Sequence, residues 1–222
     1  SLGENSNRYV KMVREKALKQ NIQLVHTSFE DIIQKTNACL SDHDEEMKAL
    51  VDDFELFCSD MDLLPRDEYT MFVPPCGESY EENEKFSLYY CPATRNHRKA
   101  KYLGIYKDKM VRSIGRIVKV VTCDVNINAK TVKLVDGGEK LTKEEEKRII
   151  GATRSAQDHD WDLSSGHKFF LFDALEKTEF KKLSAGGMWR HRYFDLENIL
   201  GTKKMPNNVK ELATLLRDKT WE

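Results

Sequence analysis

Apolar positions recur at helical spacing over the first sixty or so residues and in short runs after residue 70. Tyr9, Val10, Val13, Ala17 and Leu18 mark a first helix, and Ile22, Gln23, Leu24 and Val25 read as a short strand. Ser28 followed by Asp31 is a capping-box spelling, in which each side chain serves an orphan amide of the other residue. The helix it opens carries Phe29, Ile32, Ile33 and Leu40 as its expected buried stripe. Ser41 or Asp42 caps a longer helix. Met47, Leu50, Val51, Phe54, Phe57, Cys58 and Met61 form its expected inward face and Pro65 ends it, the acids between them being solvated.

Beyond residue 70 the pattern changes to runs rich in Val, Ile, Phe and Tyr at 71–73, 88–91, 102–106, 114–125, 132–135 and 167–172. Asp136, Gly137 and Gly138 signal a turn. Thr142 with Glu145 caps one helix that interrupts the strands, and Asn207 is expected to cap another bearing Val209, Leu212, Leu215 and Leu216. The fold class is therefore α+β. It comprises an N-terminal helical region with one short strand (1–68), then a mixed or antiparallel β-sheet or partly open barrel with two or three helices (69–222).

Charge sharpens that division. Residues 1–70 carry 8 Lys/Arg against 15 Asp/Glu, and residues 71–222 carry 28 against 22, so a net charge of -1 conceals an acidic and a basic region. An upstream domain or a protein partner is the expected neighbour of the acidic helices. No apolar run approaches the roughly 20 residues that span a bilayer, so no membrane partner is expected. The polar start lacks the apolar core of a secretory signal. Five cysteines without a CxxC pair suit a reducing cytoplasm. With no initial methionine and an abrupt end at Glu222, the chain reads as a piece of something longer.

The most informative stretch lies between Arg95 and Lys119. It holds nine basic residues, among them Arg95, Arg98, Lys99, Lys101, Lys107, Lys109, Arg112 and Arg116, against one acid, Asp108. Tyr102 and Tyr106 are interleaved, and Trp189, Arg190 and Arg192 form a second group after Lys181 and Lys182. Phosphates need cations and unpaired bases need flat rings, so this composition points to a nucleic-acid partner. Lys99, Lys101, Lys107 and Lys109 share strand parity, as on the outer face of a half-exposed sheet, unless a turn intervenes. The other reading is a solvated sheet face that answers the acidic helices.

Catalytic motifs fit poorly. Gly104, Ile105 and Tyr106 followed by Ser113, Ile114 and Gly115 suggest the GIY-YIG nucleases, but only six residues separate the elements and Ser113 stands where that family has tyrosine. Asp158, His159, Asp160 and Asp162 offer oxygen and nitrogen ligands for a divalent ion. As a calcium loop the segment fails, because Leu163 holds the glycine position and Phe169 the terminal acid. Cys76, between prolines and Gly77, reads as an exposed loop thiol that His97 or His191 could meet only through folding. No cofactor is called for.

The opening segment, with Thr27, Phe29 and Ile32 in a T-x-F-x-x-I arrangement, resembles the region after the catalytic core of bacterial PD-(D/E)XK nuclease-like proteins. That resemblance implies catalytic acids upstream and none here, since Glu46, Met47 and Lys48 have the spelling but read as helix. The later strands are similar in order to PUA-like β-domains, which implies binding of RNA or of modified DNA bases. The expected role is thus a non-catalytic nucleic-acid-binding module of a larger nucleic-acid-processing or defence protein. The alternatives are a protein-interaction or regulatory domain, and a metal-dependent nuclease using the 158–162 segment with His191.

Overall fold

The computed structural model describes residues 2–23, 27–41, 43–61, 63–64, 67–137, 140–202 and 204–222, with the backbone alone at 2–10 and 67. The chain forms two compact units, Ser1–Cys58 and Ser59–Glu222. The sequence-based boundary at 68/69 falls ten residues later.

The first unit holds α1 (Leu2–Lys19), α2 (Phe29–Cys39) and most of α3 (Glu45–Asp60). The Ser28 capping box forms as expected: Asp31 N–H donates to Ser28 Oγ and Ser28 N–H to Asp31 Oδ2, both at 3.0 Å. Ahead of α3, Asp44 accepts from the Ser41 amide and hydroxyl at 2.7 Å. These bonds to its ionised form hold its carboxyl below the usual range. Asp42, Leu24, Val25, Pro65 and Gly138 lie outside the described residues, and Ile22 and Gln23 are not in a strand.

The expected inward faces need correction. On α2 only Ile33 is buried, while Phe29 and Ile32 are each 40% exposed. On α3, Val51 and Cys58 are buried, but Met47, Leu50, Phe54 and Phe57 are exposed, as is Met61 just beyond. Glu55, expected among the solvated acids, is buried. Helical periodicity identified an apolar surface, but it carries no information about whether anything in the same chain covers that surface.

Among the described residues, the second unit is a mixed, open, eight-stranded sheet with four α-helices. Its strands are β1 (Thr70–Val73), β2 (Leu88–Pro92), β3 (Tyr102–Lys107), β4 (Met110–Asn126), β5 (Thr131–Asp136), β6 (His167–Lys182), β7 (Arg192–Asp195) and β8 (Thr220–Trp221). Its helices are α4 (Tyr80–Phe86), α5 (Lys143–Ala156), α6 (Leu196–Leu200) and α7 (Val209–Leu216). The order is β2-β6-β4-β3-β1-β7, with β5 beside β4 and β8 beside β6. The long antiparallel pair β4 and β6 is the spine. One edge of β4 serves β3 and then β5, and the outer edge of β6 serves β2 and then β8. Register shifts at Val111/Ser113, Gly115/Ile117 and Ile117/Lys119 let β4 bend between those partners.

The sheet is buried on both faces along β1, β2 and β3 and the facing parts of β4 and β6, which sequence reading did not anticipate. On one face Phe72, Leu103, Ile105, Phe170 and Phe172 pack together. Their strand neighbours Met71, Val73, Tyr102 and Tyr106 pack on the opposite face with Leu212 and Leu216 of α7. Phe169 and Leu171 pack there in a second group with Ile149 and Ala152 of α5. Residues one apart on a strand point to opposite faces, so continuous burial along β3 requires cover on each side.

Gly104 and Gly115, the pair that suggested a nuclease motif, are packing glycines. A Cβ at Gly115 would lie 2.7 Å from Cγ of the buried Phe172, and one at Gly104 would lie 2.7 Å from Val111 Cγ1. Gly115→Ala should therefore cost about 1–3 kcal/mol through overpacking, read as a lower urea midpoint at unchanged m.

Candidate nucleic-acid interface

The predicted basic residues divide into two groups at the ends of β3, roughly 20 Å apart at about 3.3 Å per residue. Lys107, Lys109 and Arg112 surround the β3–β4 hairpin. Its turn residues Asp108 and Lys109 both take left-handed φ, 52° and 60°, which suits a tight antiparallel return. Lys99 and Lys101 precede the strand. The shared parity of the four lysines thus gives two clusters and no continuous face.

Most of the guanidinium and ammonium groups are already engaged within the unit. Lys107 reaches Glu81 at 3.4 Å and lies over the Tyr80 ring. Arg112 pairs with Asp108 at 3.1 Å and donates to the Lys107 carbonyl. Arg116 pairs with Asp173, and Lys119 bonds Glu145 at 2.8 Å in a mostly buried pair. That bond and those from Thr142 hold the Glu145 carboxyl low, although burial opposes them. Arg192 stacks over Trp221 at 5.0 Å and donates to the Glu222 carbonyl. Arg98 is buried, its guanidinium 4.3 Å above the Tyr193 ring, and its backbone N–H donates to the Tyr193 hydroxyl at 3.0 Å. Tyr102 and Tyr106 are core residues at 5% exposure, so neither presents a ring to a ligand, and Tyr106 packs against Trp221. A continuous basic strip with interleaved tyrosines is not what the fold builds.

What remains outward is narrower. Lys99, Lys101 and Lys109 are exposed and make no ion pair among the described residues. Arg95 is exposed beside the Tyr89 hydroxyl, and Trp189 is 80% exposed with Arg190 following it. Beside Lys99 the segment 97–100 closes a cavity of about 300 Å³, with Phe72, Ile117, Val120 and Phe170 as its apolar walls. That volume is at the small end of the roughly 300–1,000 Å³ of small-ligand sites.

The cavity stands against a column of flat groups. Arg98 covers Tyr193, which lies against Phe72 at 5.1 Å and 27°. Phe72 in turn lies against His97 at 6.0 Å and 27°, and Phe170 meets His97 edge-on at 4.7 Å. His191 touches Phe72 and Tyr193, which brings the Trp189–Arg190 loop to the same column. Register produces this, because Phe72 of β1 is paired with Tyr193 of β7 and with Leu103 of β3. Burial pulls the His97 imidazole from its usual 6.5 down to about 4, helped by Lys168 and His191. The ring is therefore neutral at physiological pH and presents an uncharged face. Phe72 and His97 were not singled out as binding residues, and nothing local to them could have identified the pocket.

The other candidates resolve differently. Cys76 is buried in the core, not exposed on a loop, and burial pushes its thiol up to about 12, so it is no nucleophile. Asp158, His159, Asp160 and Asp162 do not bring three ligand atoms together for one ion. Instead His159 Nε2 meets the buried Glu82 carboxylate at 2.9 Å. Asp160 sits in a left-handed turn, and Asp162 caps the Ser164 amide at 2.8 Å. All five cysteines are free thiols, and Cys39 is exposed. Among the described residues, no helix is long and apolar enough to cross a membrane.

No protein-family model, curated protein or solved structure matches this chain.

Proposed function

We propose that the second unit is a non-catalytic nucleic-acid-binding module that holds one unpaired base in the cavity beside His97. The observation that carries this reading is the cavity of about 300 Å³ between Phe72 and Phe170, with the exposed Lys99 on its margin. A single-stranded polynucleotide needs a cation at each phosphate step and a flat apolar slot for a base. Lys99 and Lys101, spaced two apart just ahead of β3, meet the first need. The neutral His97 ring and the two phenylalanines meet the second. Trp189, at 80% exposure, supplies a further face for a neighbouring base.

The test is a fluorescence-anisotropy titration of short labelled single-stranded DNA and RNA, with a duplex of the same sequence for comparison. Lys99→Glu with Lys101→Glu should weaken single-strand binding at least tenfold. Loss of two phosphate contacts should also flatten the log–log salt dependence by about 1.4. Trp189→Ala should weaken binding about tenfold, within the roughly 1–3 kcal/mol expected of one stacked base. Alanine at Lys107, Lys109 and Arg112 together should change little, because Lys107 and Arg112 are committed to Glu81 and Asp108. A double variant that binds as its parent does, or a parent that binds no polynucleotide at low salt, would sink the reading.

A further inference from the structure

The helix α3 presents two apolar stripes, and only one of them is buried. Val51 and Cys58 are buried, on the same side as Glu55. Met47, Leu50, Phe54 and Phe57 are 47%, 62%, 37% and 56% exposed. Their spacing of three, four and three residues is the a/d spacing of a helix-pairing seam, which a solvated surface helix has no reason to keep. Phe29 of α2, also exposed, lies 6.3 Å from Phe54, so the apolar stripe continues onto α2.

The charges beside the stripe select its occupant. Glu46 and Asp53 stand one residue before Met47 and Phe54, so they border the seam on its outer side at a seven-residue interval, and both are exposed. The helix as a whole carries six acids and one lysine, and that lysine, Lys48, is held by Glu45 at 2.8 Å. A second copy of α3 set antiparallel would bring Glu46 and Asp53 against their own kind. Set parallel, it would bring Glu46 and Asp53 opposite Val51 and Cys58 of the other copy, which are buried and offer no cation. Like charges across a seam oppose pairing, and opposite charges fix partner and register.

We infer that the Met47–Leu50–Phe54–Phe57 face of α3 is a docking seam for a basic amphipathic helix of another protein. Such a helix would lay its own apolar stripe along that face and set Lys or Arg beside Glu46 and Asp53. This site is separate from the nucleic-acid reading and does not depend on it.

The experiment uses the full chain and two synthetic three-heptad peptides, each with Leu at both seam positions, one with Lys and one with Glu at the flanking positions. The Lys peptide should bind, and the Glu peptide at least tenfold more weakly. Leu50→Gln with Phe57→Gln, which leaves the charge unchanged, should weaken the Lys peptide tenfold or more. Glu46→Lys with Asp53→Lys should invert the preference towards the Glu peptide. All four positions are exposed, and circular dichroism of each variant verifies that it folds. Equal binding of the two peptides, no binding of either, or failure of the charge swap to invert the preference would overturn the inference. A dimer in light scattering that Leu50→Gln with Phe57→Gln dissolves would overturn it too, since a second copy would then be the occupant.

Discussion

Replacing Arg148 with methionine should lower the stability of the second unit by about 2–4 kcal/mol, which for a chain of this size is a drop of roughly 5–15 °C in Tm. The half-buried guanidinium is a three-way clamp. Nε donates to the Phe86 carbonyl at 2.8 Å, Nη1 to the Phe172 carbonyl at 3.1 Å, and Nη2 to the Ser87 carbonyl. It therefore ties α5 to the turn between α4 and β2 and to the middle of β6. Ser87 in that turn holds a left-handed φ of 48°, a conformation that a residue with a side chain keeps only when its surroundings enforce it. Methionine fills the space but donates nothing, and each partly buried carbonyl left without a donor is a desolvation loss. Arg148→Lys should recover only part of the loss, because one compact ammonium cannot serve three carbonyls set in a planar fork. Thermal unfolding by near-UV circular dichroism decides it. A methionine variant melting within about 2 °C of the parent would show that the clamp contributes nothing.

Acid should destabilise the second unit through His97 before most carboxylates titrate. The imidazole pKa falls from its usual 6.5 in the unfolded chain to about 4 in the fold, chiefly through burial and secondarily through Lys168 and His191. The Arg95 backbone pulls it the other way. Between those two values the unfolded chain binds a proton that the native chain refuses. The contribution is therefore complete above pH 6.5 and is lost as pH falls towards 4. At 1.36 kcal/mol per pKa unit the full loss is about 3 kcal/mol, an upper value because the ring is not wholly enclosed. His97→Gln removes the titrating group and costs some packing at every pH. The informative quantity is thus the parent's advantage over the variant, which should shrink by up to about 3 kcal/mol between pH 7 and pH 4 in urea titrations. A constant difference across that range would mean that His97 is protonated as readily in the fold as out of it.

Both effects arise from residues that look ordinary in one dimension. Arg148 sits in a charged helical run, and its neighbours along the chain do not indicate that three carbonyls from 24 to 62 residues away converge on it. His97 lies in a polar, basic stretch that reads as solvated, yet Phe72, Phe170 and Ala100 enclose it. The second half of β6, Asp173 to Lys182, was not read as strand because its alternation is weak and its charge high. It is extended because β4 pairs with it throughout, and tertiary pairing overrides a modest local preference. The short strands β7 and β8 were missed for the same reason, being extended through pairing with β1 and β6.

Local chemistry was legible where it is self-contained. The capping boxes at Ser28/Asp31 and Thr142/Glu145 close within four residues, so their geometry follows from spelling alone. The C-terminal helix is capped by Asn208, one position beyond the asparagine expected from sequence. Six of the eight strands begin within four residues of an apolar run, and the α+β class followed from counting them. Charge and periodicity also determined that the helical region is acidic and amphipathic. Only the tertiary structure decided which lysines and arginines remain available after Glu81, Asp108, Glu145 and Asp173 pair with Lys107, Arg112, Lys119 and Arg116, and which apolar faces remain exposed. It decided, too, that Phe72, His97 and Phe170 meet around a cavity. Spacing along a chain sets which residues share a face of their own element. What lies across from that face is set by strand register and helix packing between segments a hundred residues apart, and no local pattern encodes it.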